Sequence, residues 1–169
     1  MEIKYGYKPA PYKTEDYRFG GLQVPNDVLQ ENSDWTPFLP SDELQNRQGL
    51  ETMACTVFGT LNCLETLFQR KFGLTKNFSE RFLAIISGIG EGGGNPQDII
   101  EQFRKSGSID DALLPFNVFT WDEWYSPSPM TQELLDIAKK LLTDWEVKHE
   151  WVFQGINANK PKLIREALK

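Results

Sequence analysis

Cys55 is the residue in this sequence best placed to do chemistry. Between residues 52 and 72 apolar side chains recur at spacings of three and four: Val57, Leu61, Leu64, Phe68 and Phe72, with Phe58 and Leu67 widening the stripe. That pattern predicts a long buried helix, stopped by Gly73, with Cys55 in its first turn. Backbone N–H groups there lack intrahelical acceptors and the helix dipole is positive, two effects that favour a thiolate. A nucleophilic cysteine needs such a setting, together with a base and with donors for a developing oxyanion. The plainer reading is a small side chain buried at a helix end, because free cysteine packs well in cores.

The base is harder to find. His149 is the single histidine, and it falls in the alternating stretch Val147, His149, Trp151 and Phe153, the strongest strand signal in the chain. Sharing that face with apolar residues predicts a half-buried structural role rather than catalysis. Cys63 lies eight residues after Cys55, a rise of about 12 Å on one helix, too far for a disulfide. Both thiols therefore read as free, which fits a cytoplasmic or virion-associated protein better than a secreted one. One histidine and two cysteines on one helix cannot make a zinc site, so no metal and no cofactor is expected.

The elements that must position Cys55 can be read from punctuation. Residues 1–45 carry Pro9, Pro11, Pro25, Pro37 and Pro40 and hold no helical period; they predict an extended arm anchored by Trp35, Phe38 and Leu39. A second helix opens at Ser79 and turns Phe82, Leu83 and Ile86 inward before a glycine-rich run at residues 88–94. A third is capped by Asn95, carries Pro96 in its first turn and Ile99, Ile100 and Phe103 on its inner face, and stops at Gly107. After an aromatic loop with Trp121, Trp124 and Tyr125, assigned to core packing, Ser128-Pro129 opens a fourth helix. A short last helix, 162–168, turns Leu163, Ile164, Ala167 and Leu168 inward. The strand at 147–153 has no evident partner in the sequence, so it expects a sheet from elsewhere.

Four landmarks in this order resemble the papain-like cysteine peptidase family. Gln48-Gly49 precedes Cys55 at a helix start; Phe78-Ser79-Glu80 opens the next helix; Gly92-Gly93-Gly94 resembles the family's glycine pair; and Lys105-Ser106-Gly107 leads to Leu114-Pro115-Phe116. The resemblance covers about residues 40 to 120. It implies an α+β, mainly helical fold, the N-terminal (helical) subdomain of a papain-like protein with the start of its β part. Residues 1–45 are then the arm, and 46–169 the helical subdomain leading into an incomplete β subdomain. It further implies that Cys55 is the nucleophile of a thiol protease, that Gln48 helps form the oxyanion hole, and that Gly93 and Gly94 bind substrate as an extended strand. Departures are visible. The Gln48–Cys55 interval is one residue longer than usual, which leaves Gln48, Gln45 or neither as the oxyanion donor. Met53-Ala54 replaces the usual Gly-Ser.

In that family the catalytic histidine lies about 130–150 residues beyond the cysteine, past Lys169. The chain by itself is therefore expected to be inactive. The expectation is a peptidase, acting on a peptide or protein substrate, whose base comes from residues beyond Lys169 or from a second chain carrying the missing β-barrel half. The alternative is a non-catalytic interaction or assembly protein, such as a virion component, that keeps the half-fold. A net charge of −6 argues against nucleic acid and anionic membranes as partners. Gly88-Ile89-Gly90-Glu91-Gly92-Gly93 also spells a dinucleotide-binding pattern, but that motif needs a preceding strand where this sequence reads as helix. The carboxylates Glu91, Asp110, Asp111, Asp122 and Glu123 read as solvated surface.

Overall fold

Helix α1, Cys55–Phe72, runs through the centre of the fold, and the rest of the described chain is organised around it. The computed structural model describes residues 6–11, 13, 32–47, 49–152 and 159–168. Expectations for the remainder of the arm, for Gln48 and for Phe153 lie outside these residues. Among them are six α-helices and one small two-stranded antiparallel sheet. The sheet pairs β1, Asn46–Arg47, with β2, Leu50–Glu51, Arg47 opposite Leu50.

The apolar stripe of α1 forms the core as its spacing predicts. Val57 and Leu61 are fully buried, and Phe58, Leu64 and Phe68 nearly so. Two members of the predicted stripe do not belong to it: Leu67 and Phe72 are 41% and 42% exposed. Phe72 lies past the end of the packed face, where its ring meets Trp145 at 4.3 Å. The helix starts three residues later than the period suggested, because Met53 takes a left-handed φ of 56° that no helix continues. This shift makes Cys55 the first residue of α1.

Helix α2, Glu80–Ile86, is capped by Ser79, whose Oγ accepts from Phe82 N–H and donates to the Leu114 carbonyl. Helix α3, Pro96–Ser106, is capped by Asn95 and ends at Gly107. Both α2 and α3 pack on α1, and α3 packs on α5, Gln132–Asp144. Phe82, Leu83, Ile99 and Phe103 are fully buried between them, each contributing about 1.5–3 kcal/mol relative to exposure. The fourth predicted helix opens later than expected: Thr131, not Ser128, supplies the cap. The aromatic loop contains an unforeseen one-turn helix α4, Trp121–Trp124, which drives Trp124 fully into the core against Phe116.

The β expectation is corrected. Residues 145–150 are irregular and only Trp151 forms a bridge. Alternation alone does not make a strand: apart from the bridge at Trp151, no strand among the described residues pairs with this stretch. The last helix, α6, Lys160–Ala167, begins earlier than predicted, with Pro161 in its first turn; Ile164 and Leu168 are exposed rather than inward. In the arm, Trp35 donates from Nε1 to the Leu168 carbonyl and Arg70 lies over the Phe38 ring, whereas Leu39 is exposed.

The Asn95 cap is a small, separable test of this scaffold. Its Oδ1 accepts from Asp98 N–H at 2.9 Å, and its amide donates to the Asp98 carboxylate. Asn95→Ala is expected to cost ~1 kcal/mol in urea unfolding. A cost near zero would mean that α3 needs no cap to hold the glycines before it.

Candidate functional site

The peptide entering α1 is held from both sides. Thr52, fully buried, donates its N–H and its Oγ1 to the Gln45 carbonyl at 3.3 and 3.0 Å. Its own carbonyl accepts from the Tyr125 hydroxyl at 2.6 Å. The Tyr125 ring stacks on Trp121 with centroids 4.8 Å apart, and burial pushes its phenol up to about 12. Met53 N–H donates to the Glu51 carboxylate at 3.0 Å. Met53 has a left-handed backbone that glycine would adopt without strain. Ala54 is the N-cap residue of α1 and offers no side-chain cap. Cys55 follows, half-buried, and its thiol makes no hydrogen bond among the described residues.

Beside it runs a glycine edge. Gly93 N–H closes a tight turn on the Gly90 carbonyl at 2.8 Å, with φ of 69°. Gly94 then pairs with an extended segment of the arm: its N–H donates to the Gly6 carbonyl at 2.8 Å, and its carbonyl accepts from Lys8 N–H at 2.7 Å. The edge adjoins the start of α1, since a Cβ on Gly94 would lie 3.3 Å from Thr56 Oγ1. The fit between edge and arm excludes side chains on both strands. A Cβ on Gly93 would stand 1.8 Å from the Gly6 carbonyl oxygen, and one on Gly6 would stand 2.1 Å from the Met53 carbonyl oxygen.

Cys55 and Tyr7 share a largely apolar groove of about 540 Å³, whose walls include Cys63 and Leu67 of α1, Ile100 of α3, and His149. The imidazole is half-buried, as its alternating neighbours predict. Its Nε2 faces Glu101 Oε1 at 3.4 Å, and its buried Nδ1 has no partner among the described residues. Glu101 is fixed in turn by Arg104 at 2.8 Å, and that hydrogen bond holds its carboxyl below the usual range. His149 and Cys55 thus line one groove, with the histidine secured to α3 and no hydrogen bond between them. The Cys63 thiol is pushed up by burial among its neighbours, although the residue reaches the surface.

Of the sequence-predicted site residues, the structure brings Cys55 to the first position of α1 and sets Gly93 and Gly94 beside that helix start. Gln48 lies outside the described residues; the Gln45 carbonyl accepts from Thr52, and its side-chain Oε1 is buried with no donor among the described residues. Three participants were missed: Gly6–Tyr7–Lys8, Thr52 and Tyr125. Only the first had a signal, a glycine between two tyrosines in a segment with no period. Asp111 is half-buried rather than solvated, and burial raises its carboxyl. The dinucleotide pattern fails on context, since α2 precedes it. Among the described residues no cluster of three or more His, Cys, Asp or Glu side chains could hold a metal ion, and no helix is long and apolar enough to cross a membrane. No protein-family model, curated protein or solved structure matches the chain.

Proposed function

We propose that this chain is the helical half of a cysteine peptidase in which Cys55 attacks a peptide carbonyl. The single observation that supports this reading most is the glycine edge. It holds an extended peptide segment by two main-chain hydrogen bonds, next to a thiol at a helix start. Main-chain pairing of this kind is how extended peptides are recognised regardless of sequence, and a thiol at the first turn of a helix is where its anion is best supported. His149 is a poor base for this reaction, because Glu101 draws its Nε2 toward α3. The imidazole that takes and returns the proton comes from a polypeptide segment outside these 169 residues, on this chain or another.

The test is differential alkylation. At about pH 6, iodoacetamide is expected to label Cys55 several-fold faster than Cys63, because Cys55 stands in the first turn of α1 whereas Cys63 lies more than two turns further along it. Mass spectrometry of the labelled peptides reads the ratio directly, and Cys55→Ala assigns it. Equal rates would remove the nucleophile and leave an apolar groove whose use is binding.

A further inference from the structure

Gly6, Tyr7 and Lys8 lie so close along the run Gly92–Gly94 that the seat itself limits what can occupy it. Gly6 is buried. On one side of it, the atoms nearest to a Cβ built there all belong to the Met53 backbone: the carbonyl oxygen, the carbonyl carbon and the Cα. On the other side, a Cβ on Gly93 would overlap the carbonyl group and Cα of Gly6. The next two residues of the segment meet no such walls. Tyr7, bridged to Gly94, is 55% exposed and lines the apolar groove. Lys8 is exposed, and its ammonium passes over Gly92, 2.8 Å from where a Cβ would stand.

Neither wall can step back. Met53 N–H donates to the Glu51 carboxylate, and Thr52 before it is fastened to the Gln45 carbonyl and to the Tyr125 hydroxyl. Ala54 after it is the N-cap of α1. Gly93 is fixed by its turn onto the Gly90 carbonyl. Gly6 itself takes no left-handed φ, so space rather than backbone conformation is what calls for glycine here.

We propose that the seat between Met53 and Gly93 is a glycine-selective subsite: an extended peptide bound along Gly94 must carry glycine where Gly6 stands, whereas its next two positions accept side chains. The two main-chain hydrogen bonds with Gly94 are open to any sequence, so they supply affinity without choice. Choice comes from exclusion at one position. Any Cβ there pushes the peptide off the Met53 carbonyl, a backbone group with no rotamer to yield, and both bonds to Gly94 lengthen together. The subsite rests on the reading of the glycine edge as the peptide site, and it stands whether or not Cys55 is a nucleophile.

The test is binding in trans to the full chain. Gly6→Val opens the seat by expelling the chain's own segment. The peptide acetyl-Gly-Tyr-Lys-Pro-amide, which repeats residues 6–9, is titrated into this variant and followed by the NMR resonance of the Gly94 amide. It is expected to bind at least about tenfold more tightly than the same peptide with alanine in place of glycine. Alanine in place of the lysine is expected to change the affinity by less than about threefold, because that side chain is exposed. If Gly6→Val does not fold, Lys8→Pro opens the seat instead, by removing the N–H that the Gly94 carbonyl accepts. Equal affinity for the glycine and alanine peptides overturns the subsite and leaves a peptide edge indifferent to sequence. If neither peptide moves the Gly94 resonance of a folded variant, the subsite falls together with the reading of the edge as a peptide site.

Discussion

Glutamine in place of Glu65 is expected to raise the stability of this protein by about 2–3 kcal/mol at pH 8 and to leave it almost unchanged near pH 4. Removing a buried charged residue usually destabilises, so the sign needs its argument. Glu65 is 98% buried by area and its carboxyl is raised from 4.5 to about 7, chiefly by desolvation. At about 1.4 kcal/mol per pKa unit, that displacement corresponds to ~3 kcal/mol at a pH where the group is ionised in both states. A group whose folded value is raised is most favourable to folding below its unfolded value, so the handicap is absent in acid and complete above neutrality. Glutamine keeps the Oε1 acceptor that Phe78 N–H uses and puts an uncharged amide where Oε2 has no donor among the described residues. Helix propensity barely differs between the two residues. Urea unfolding at the two pH values measures the difference. Equal stabilities of variant and wild type at pH 8 would mean that Glu65 ionises without cost, and that solvent reaches it.

The elements around Cys55 were legible where a local signal was strong and one-sided. The Ser79 and Asn95 caps, Pro96 at the start of α3 and the stops at Gly73 and Gly107 all sit where the sequence put them, because capping is decided within four or five residues. What escaped depends on contacts distant in the chain. The stretch 147–152 has the alternation of a strand, but forming one requires a partner that periodicity cannot supply. Leu67 belongs to the apolar arc of α1 by angle, yet it lines the groove and is 41% exposed among the described residues.

The site divides the same way. Cys55 at a helix start was readable from residue type and spacing, whereas Gly93 and Gly94 were singled out only through the family resemblance. Thr52 and Tyr125, which hold the peptide before Cys55, carry no motif and meet only through tertiary structure. Glu65 and Glu80, both buried, were hidden by their type, since glutamate is rarely buried. Glu65 did carry a trace: it lies four residues after Leu61 and three before Phe68, on the buried face of α1. Gly6 is the most informative residue that type alone could not reveal. Its value rests on a carbonyl of Met53 and a turn at Gly93, both remote in sequence.

That three-way fit yields the largest functional effect expected of any single substitution. Residues 6–8 occupy the main-chain edge of Gly94, and Tyr7 lines the groove that contains Cys55. An incoming peptide that uses the edge must displace them. Valine at position 6 puts a Cβ 2.1 Å from the Met53 carbonyl, a backbone atom that cannot swing aside, so the segment is expelled and its two hydrogen bonds are lost. At about 0.5–1.5 kcal/mol per bond, with a tenfold rate or affinity change for each ~1.4 kcal/mol, Gly6→Val is expected to raise the rate at which an extended peptidyl chloromethyl ketone alkylates Cys55 by about tenfold or more. The rate with iodoacetamide, which needs no main-chain pairing, is expected to stay within about twofold of wild type. The pair of reagents separates two failures. If iodoacetamide labels Cys55 no faster than Cys63 in either protein, the thiol is not a nucleophile. If it does, and the peptidyl reagent gains nothing from Gly6→Val, then Cys55 is reactive but peptides reach it by a route other than the Gly94 edge.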